Sequence, residues 1–326
     1  MTTLTGYETI VVVGAWTLIG EAIVRRLETD ERWRVLCPSA ESVNFRDRHA
    51  VERFFREHRP TQVYLAAGRS GGIDANRTFP ADLCFDNLET IVAVLRAAVA
   101  QGCSRLLYLG SSCIYPRACE QPMRVDALGT GMLEPTSAAY ATAKLAGLAL
   151  VRAIRTQYRL RFISGIPADV YGPCRITDVS QAHVIPSLLL RMHEAVRSGT
   201  QELVLWGTGT PRREFLHVDD LADACVHVMA CYDADEPINL GGGHERTIHE
   251  AALAAAKITG FRGLISFDSA RPDGMPRKLL DSSALAAMGW RSKIPFEEGL
   301  LQTYEGILAR NAEVGRGARE ACGGAS

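Results

Sequence analysis

The chain has 326 residues, 47% hydrophobic and 22% charged, ordinary globular usage and enough for one large core or two modest ones. Thirty-six Lys and Arg against 37 Asp and Glu give a formal charge of -1, so the broad cationic field that holds nucleic acid or an anionic membrane is missing. Nine cysteines, without a C-x-x-C pair or a metal-spaced His cluster, read as reduced thiols of a cytoplasmic protein with no metal, and neither a signal segment nor a membrane span is expected.

A β-branched run over 9–13 ends in Gly14, and residues 20–27 then carry apolar positions at helical spacing: strand, turn, helix. Short apolar runs at 34–37, 62–66, 105–109 and 161–166 predict further strands, with helices over 51–58, 86–101 and 138–158 between them. Strands alternating with helices imply a parallel sheet covered on both faces, because each parallel crossover needs about a helix of chain. The fold expected is α/β, a Rossmann-type doubly wound parallel sheet with a smaller C-terminal substrate-binding lobe.

Gly14 and Gly20 bracket G-A-W-T-L-I-G between the first strand and helix. In a dinucleotide fold the first glycine makes the tight turn and the helix amides face a pyrophosphate, which makes Gly14, Thr17, Leu18, Ile19 and Gly20 candidate cofactor residues. Thr17 stands where the middle glycine usually does, and a plain strand-turn-helix is an equally good reading of these residues alone. Asp47, after the second strand, suits an adenine amino group or the N-cap of a helix. Leu65, Ala66 and Ala67, ending the third strand, let the backbone approach a ligand or merely relieve packing. The boundaries expected are 1–171 for the dinucleotide-binding domain with a returning segment near 214–241, 172–213 and 242–310 for the lobe, and 311–326 for a flexible tail.

Tyr140 and Lys144, four apart in a helix, share one face. An ammonium beside a phenol lowers its pKa from about 10 toward neutrality, useful for proton transfer, although such a pair often arises by chance. Upstream, Ser111 lies at the C-terminal end of a strand, where a hydroxyl can bond a substrate carbonyl. Cys113 is either a proton-transferring thiol or a buried small hydrophobe, and His183 either a second proton donor or a helix cap. Arg191, Trp206, Arg212 and Arg213 suit a diphosphate and a flat base, or form an exposed basic strip with a buried Trp.

Taken together, L-G-S-S-C-I-Y-P at 109–116, H-V-I-P at 183–186, W-G-T-G-T-P-R-R-E-F-L-H-V-D-D at 206–220 and P-D-G-M-P-R-K-L-L-D at 272–281 resemble the GDP-L-fucose synthase family of extended short-chain dehydrogenase/reductases, over about 11–290. The resemblance implies a bifunctional epimerase/reductase that converts GDP-4-keto-6-deoxy-D-mannose to GDP-L-fucose with NADP(H). Ser111, Tyr140 and Lys144 become the reductase triad, and Cys113 and His183 the proton-transfer pair. Ser112, Arg191, Trp206, Arg213 and Asp273 become GDP-sugar ligands, and Pro167, Val170, Lys144 and His183 join the cofactor residues. A cytoplasmic homodimer is implied as well.

The chain departs from this family at Trp16 and at 38–40, where members carry arginines that hold the 2′-phosphate. Arg34, Arg46 or Arg69 are the candidate substitutes, while Glu41 is the nearest acid that would favour NAD(H). Asp169 takes a position where the family more often has asparagine, and the loop at 174–182 is altered. A single-activity epimerase or 4-ketoreductase on another nucleotide-linked keto-sugar stays open, as does a catalytically silent nucleotide-binding protein. Retention of all five chemical residues argues against the last.

Overall fold

The structure, a computed structural model, describes residues 8–174 and 182–323. In the first half strand and helix alternate: β1 (Glu8–Val13), α1 (Leu18–Leu27), β2 (Trp33–Leu36), α2 (Arg48–His58), β3 (Gln62–Leu65), α3 (Ile73–Thr78), α4 (Pro80–Ala100), β4 (Arg105–Leu109), α5 (Ala138–Tyr158) and β5 (Arg161–Pro167). The second half holds β6 (Asp169–Tyr171), α6 (Val184–Ser198), β7 (Glu202–Trp206), β8 (Arg212–His217), α7 (Val218–Cys231), β9 (Ile238–Leu240), β10 (Glu245–Thr247), α8 (Ile248–Thr259), β11 (Leu264–Asp268), β12 (Arg277–Lys278), α9 (Ser283–Ala287) and α10 (Phe296–Gly323). The expected helix at 86–101 starts earlier, because Pro80 at its first turn has no amide to lose there.

Six strands form one parallel sheet in the order β2-β1-β3-β4-β5-β9. Its strands read as unbroken apolar runs because both faces are covered. Successive side chains of β1 point to opposite faces: Ile10 and Val12 pack with Ile23 and Leu27 of α1 and Leu221 and Val228 of α7, while Val11 and Val13 pack with Phe55, Ile91 and Val151 of α2, α4 and α5. Each of these aliphatic side chains contributes roughly 1.5–3 kcal/mol on burial. The chain turns to opposite sides of β1 when it makes β2 and β3, so the crevice beyond the carboxyl ends of β1 and β3 is the switch point where such sheets hold ligands.

The lobe has its own core of Leu188, Leu189 and Met192 from α6, Ala251 and Ala255 from α8, and Leu300 and Ile307 from α10. Of the expected returning segment 214–241, α7 and β9 do pack into the large sheet, but β8 does not: it pairs with β6, β10 and β12 instead. Helix α10 continues through Gly323, into the stretch read from sequence as a tail. Among the described residues no helix is long and apolar enough to cross a membrane.

Candidate active site

A cleft of about 810 Å³ separates the carboxyl edge of the sheet from the lobe, and Thr17, Ala67, Tyr140, His183, Arg213 and Lys278 all line it. At its sheet end Gly14 has φ of +94°, and a Cβ there would lie 2.5 Å from the Ala67 amide nitrogen. A Cβ on Gly20 would come within 1.9 Å of the Gly14 carbonyl oxygen. Thr17 explains how the motif closes without its middle glycine. Its hydroxyl donates to the Gly14 carbonyl at 2.8 Å and accepts from the Gly20 amide at 3.0 Å, capping α1. Thr17, Leu18 and Ile19 then face the cleft from the first turn of a helix whose amides have no intrahelical partner, so a dinucleotide diphosphate fits this cradle.

Other residues expected at this end are placed differently. Asp47 is the N-cap of α2, its carboxylate accepting from the His49 amide at 2.8 Å and the Ala50 amide at 3.3 Å, and it lies outside the cleft lining. Both capping bonds use one oxygen of the carboxylate, Oδ1. Leu65 is buried in the core, whereas Ala66 and Ala67 line the cleft. Arg34 sits inside β2 opposite Thr9, two residues before the strand's carboxyl end at Leu36. Arg46 pairs with Asp86 at 2.6 Å and Arg69 with the same carboxylate at 3.4 Å, and the Trp16 ring stacks on Phe45 with centroids 5.8 Å apart.

Helix α5 carries Tyr140 and Lys144 on one face, as the spacing requires. Gly147, one turn on, lets Tyr108 approach: a Cβ there would meet the Tyr108 ring at 2.3 Å, and the Tyr108 hydroxyl donates to the Lys144 carbonyl at 3.1 Å. Lys144 is 5% exposed, its ammonium donating to the Leu109 carbonyl at 3.2 Å and lying 5.9 Å from the Tyr140 ring centroid. Burial lowers its pKa to about 8.

The expected lowering of the Tyr140 pKa does not occur. Enclosure by protein raises it, a Cys113 anion and the Asp169 charge push the same way, and the hydrogen bond with Ser111 opposes them only in part. At this separation the ammonium does not outweigh desolvation, and the phenol stays protonated. Ser111 itself caps the short turn Ser112–Ile114, accepting from the Cys113 amide at 3.3 Å.

From the lobe side, Asp169 at the start of β6 accepts from Lys278 at 2.5 Å and from the Ser112 hydroxyl at 3.3 Å, with Arg213 Nε 3.6 Å from its other oxygen. Despite burial, Lys278 and Arg213 hold its pKa below the usual carboxylate range. His183 precedes the first residue of α6 as its N-cap without a capping side-chain bond, and its Nε2 lies 3.5 Å from the Ser70 hydroxyl. The protein around the imidazole lowers its pKa; Asp169 opposes that shift and Lys278 reinforces it.

Arg191, Trp206, Asp273, Pro167 and Val170 also line the cleft. Arg191 donates to the Val204 carbonyl, Arg271 lies 4.8 Å over the Trp206 ring, and Asp273 accepts from the Thr208 amide at 2.7 Å and its hydroxyl at 2.9 Å. Trp206 is 45% exposed rather than buried, with the Arg271 guanidinium over its ring. Arg212 points away, paired with Glu245 at 2.8 Å, because β8 alternates its side chains and only Arg213 faces the cleft. Of the altered loop at 174–182, residues 175–181 lie outside the described residues.

Sequence reasoning missed Lys278 and buried Glu134, both lining residues. Lys278 lies inside the motif at 272–281, where a second cation directly after Arg277 and before two leucines was the available signal. It also treated Asp169 as a substitution rather than as an ion-pair partner.

Residues 10–241 match the NAD dependent epimerase/dehydratase family. GDP-L-fucose synthase 1 of Arabidopsis thaliana is 44% identical over 92% of this chain and 93% of its own length. GDP-L-fucose synthase of Escherichia coli K12 is 42% identical over 92% and 96%. Among solved structures, a GDP-L-fucose synthetase from Naegleria fowleri bound to NADP superposes with a TM-score of 0.87 at 25% identity, covering 95% of this chain and 97% of that one.

Proposed function

The chain belongs to the NAD dependent epimerase/dehydratase family and, within it, to the GDP-L-fucose synthases, and from that premise we propose that it converts GDP-4-keto-6-deoxy-D-mannose to GDP-L-fucose using NADP(H). The observation that carries this reading is the meeting of Cys113 and His183 with Ser111, Tyr140 and Lys144 in one cleft, beside a glycine cradle of the right shape for a dinucleotide. Reduction alone needs no second acid-base pair, and a binding protein needs neither set.

A ketone at carbon 4 acidifies the protons on carbons 3 and 5, because the carbanion is delocalised onto the oxygen, where Ser111 and Tyr140 stabilise it by hydrogen bonding. Cys113 as thiolate takes a proton from one face, and His183 returns one to the other, inverting each centre. Bound NADPH supplies the hydride for carbon 4. Tyr140 gives its proton to the oxygen at that moment; a phenol held above its ordinary pKa keeps the proton until the oxygen becomes basic enough to take it. Lys144, with its pKa near 8, returns a proton to the phenolate at neutral pH and holds the cofactor ribose. Arg191, Trp206, Arg213 and Asp273 hold the GDP-sugar by charge and stacking, with Ser112 beside them.

This reading carries with it a cofactor domain of 1–171 with the return at 218–240, a substrate lobe of 172–217 and 241–310, and a cytoplasmic homodimer. Incubation with GDP-4-keto-6-deoxy-D-mannose and either NADPH or NADH, following absorbance and identifying the sugar, tests it. GDP-L-fucose formed faster with NADPH supports the reading; no turnover with either cofactor rejects it. Cys113→Ala should stop inversion and leave direct reduction of the unepimerised ketone, so unchanged product stereochemistry would remove the thiol from the mechanism.

A further inference from the structure

Asp169 stands where three chain segments meet, and each carries a side chain of the cleft. One carboxylate oxygen accepts from Lys278 of β12 and from Ser112, and the other faces Arg213 of β8. The Lys278 ammonium also donates to the Ser112 hydroxyl at 3.2 Å, closing a triangle. Ser112, Lys278 and Arg213 are 3%, 9% and 8% exposed, so each charge depends on its partner and the geometry is over-determined.

We propose that Asp169 is a positioning residue for the proton-transfer pair: through Ser112 and Lys278 it fastens the turn that carries Cys113 to the substrate lobe, and its negative charge offsets that of Lys278 where both act on His183. The inference rests on the proposed roles of Cys113 and His183. The titratable and charged groups that line the cleft together with this imidazole include Asp169 from β6, Lys278 from β12, Arg213 from β8, Arg191 from α6, Cys113 from the turn after β4, and Tyr140 and Lys144 from α5, and the Ser70 hydroxyl lies 3.5 Å from Nε2. Glu214 is buried beside Asp169 in the same strand as Arg213. Of these, Asp169 favours the imidazolium and Lys278 opposes it. With an amide at 169, Lys278 acts unopposed and the imidazolium surrenders its proton at lower pH.

The test is deuterium entry at carbons 3 and 5 of GDP-4-keto-6-deoxy-D-mannose in D₂O, with NADP⁺ in place of NADPH and substrate at saturation, followed by mass spectrometry across pH. In Asp169→Asn the limb on which exchange falls with rising pH moves to lower pH by on the order of one unit, an approximately tenfold loss above the limb. Adding Lys278→Met to that variant returns the limb toward its original position, and Lys278→Met alone moves it to higher pH, so a variant that fails to fold leaves another to decide. A limb that stays fixed in the folded variants, with only a uniform loss of rate, overturns the proposal. No deuterium entry with the unaltered protein overturns the epimerase reading itself, and this inference with it.

Discussion

On the α5 side of the cleft, Tyr140 and Lys144 leave water with little to offset the loss, whereas on the lobe side the buried Lys278 and Arg213 are paired with the half-buried Asp169. The outcomes differ accordingly. Desolvation moves both α5 groups toward their neutral forms, while the carboxylate of the knot remains ionised although it too is enclosed. Groups that give or take protons are left to burial, and groups that hold geometry are paired. The same cleft thus contains both poised acids and fixed charges.

The largest expected effect tests the poised side. Tyr140→Phe removes the proton donor and little else, so single-turnover oxidation of NADPH should slow by about 10²–10⁴ while calorimetric ligand binding is kept. Reduction at the original rate would take Tyr140 out of the chemistry.

Two lysine substitutions sharpen the contrast, because they should change stability in opposite directions. Lys278→Met takes from Asp169 the shorter of its two ion pairs, leaving only Arg213 at 3.6 Å, and should cost about 2–3 kcal/mol in denaturant unfolding. Lys144→Met removes a charge that burial disfavours. With the folded pKa near 8 against 10.5 for the free side chain, the penalty of about 3 kcal/mol is complete below pH 8 and vanishes as pH rises to 10.5. Part of that gain is lost with the bond to the Leu109 carbonyl, so about 1–2 kcal/mol of net stabilisation at pH 7 is expected, together with loss of reduction. Destabilisation by both lysine changes would erase the distinction between the two sides.

A pH-dependent effect concerns Glu214, buried behind the knot and accepting from the Gly243 amide at 2.6 Å and the Leu280 amide at 2.9 Å. Burial dominates these bonds and lifts its pKa to about 7 from 4.5. The folded protein therefore holds more protons than the unfolded chain across that interval, and stability should decline by up to about 3 kcal/mol as pH rises through it. Glu214→Gln should flatten that slope in chemical denaturation; an unchanged slope would place the titration elsewhere.

What was legible in the sequence is what local chemistry sets. The period of apolar residues gave strands at 9–13 and 105–109 and the helix at 138–158 almost to their ends, since a doubly covered parallel strand must be apolar throughout and a helix face repeats every three to four residues. The spacing of Tyr140 and Lys144 on one face followed for the same reason. Local rules also left a choice open: Asp47 suited an adenine ligand or a helix cap, and the fold makes it the cap of α2, since that demand is met within three residues.

Tertiary structure alone decided the rest, and the physical reason is that electrostatic outcomes depend on distance and solvent, which a linear sequence does not contain. Four residues of spacing cannot say whether an ammonium or desolvation governs the Tyr140 phenol. Nor can 109 positions of separation announce that Lys278 meets Asp169, or that strand alternation sends Arg213 into the cleft and Arg212 to Glu245. The sequence determined which groups the cleft has to work with; packing determined which are poised to move a proton and which are held still.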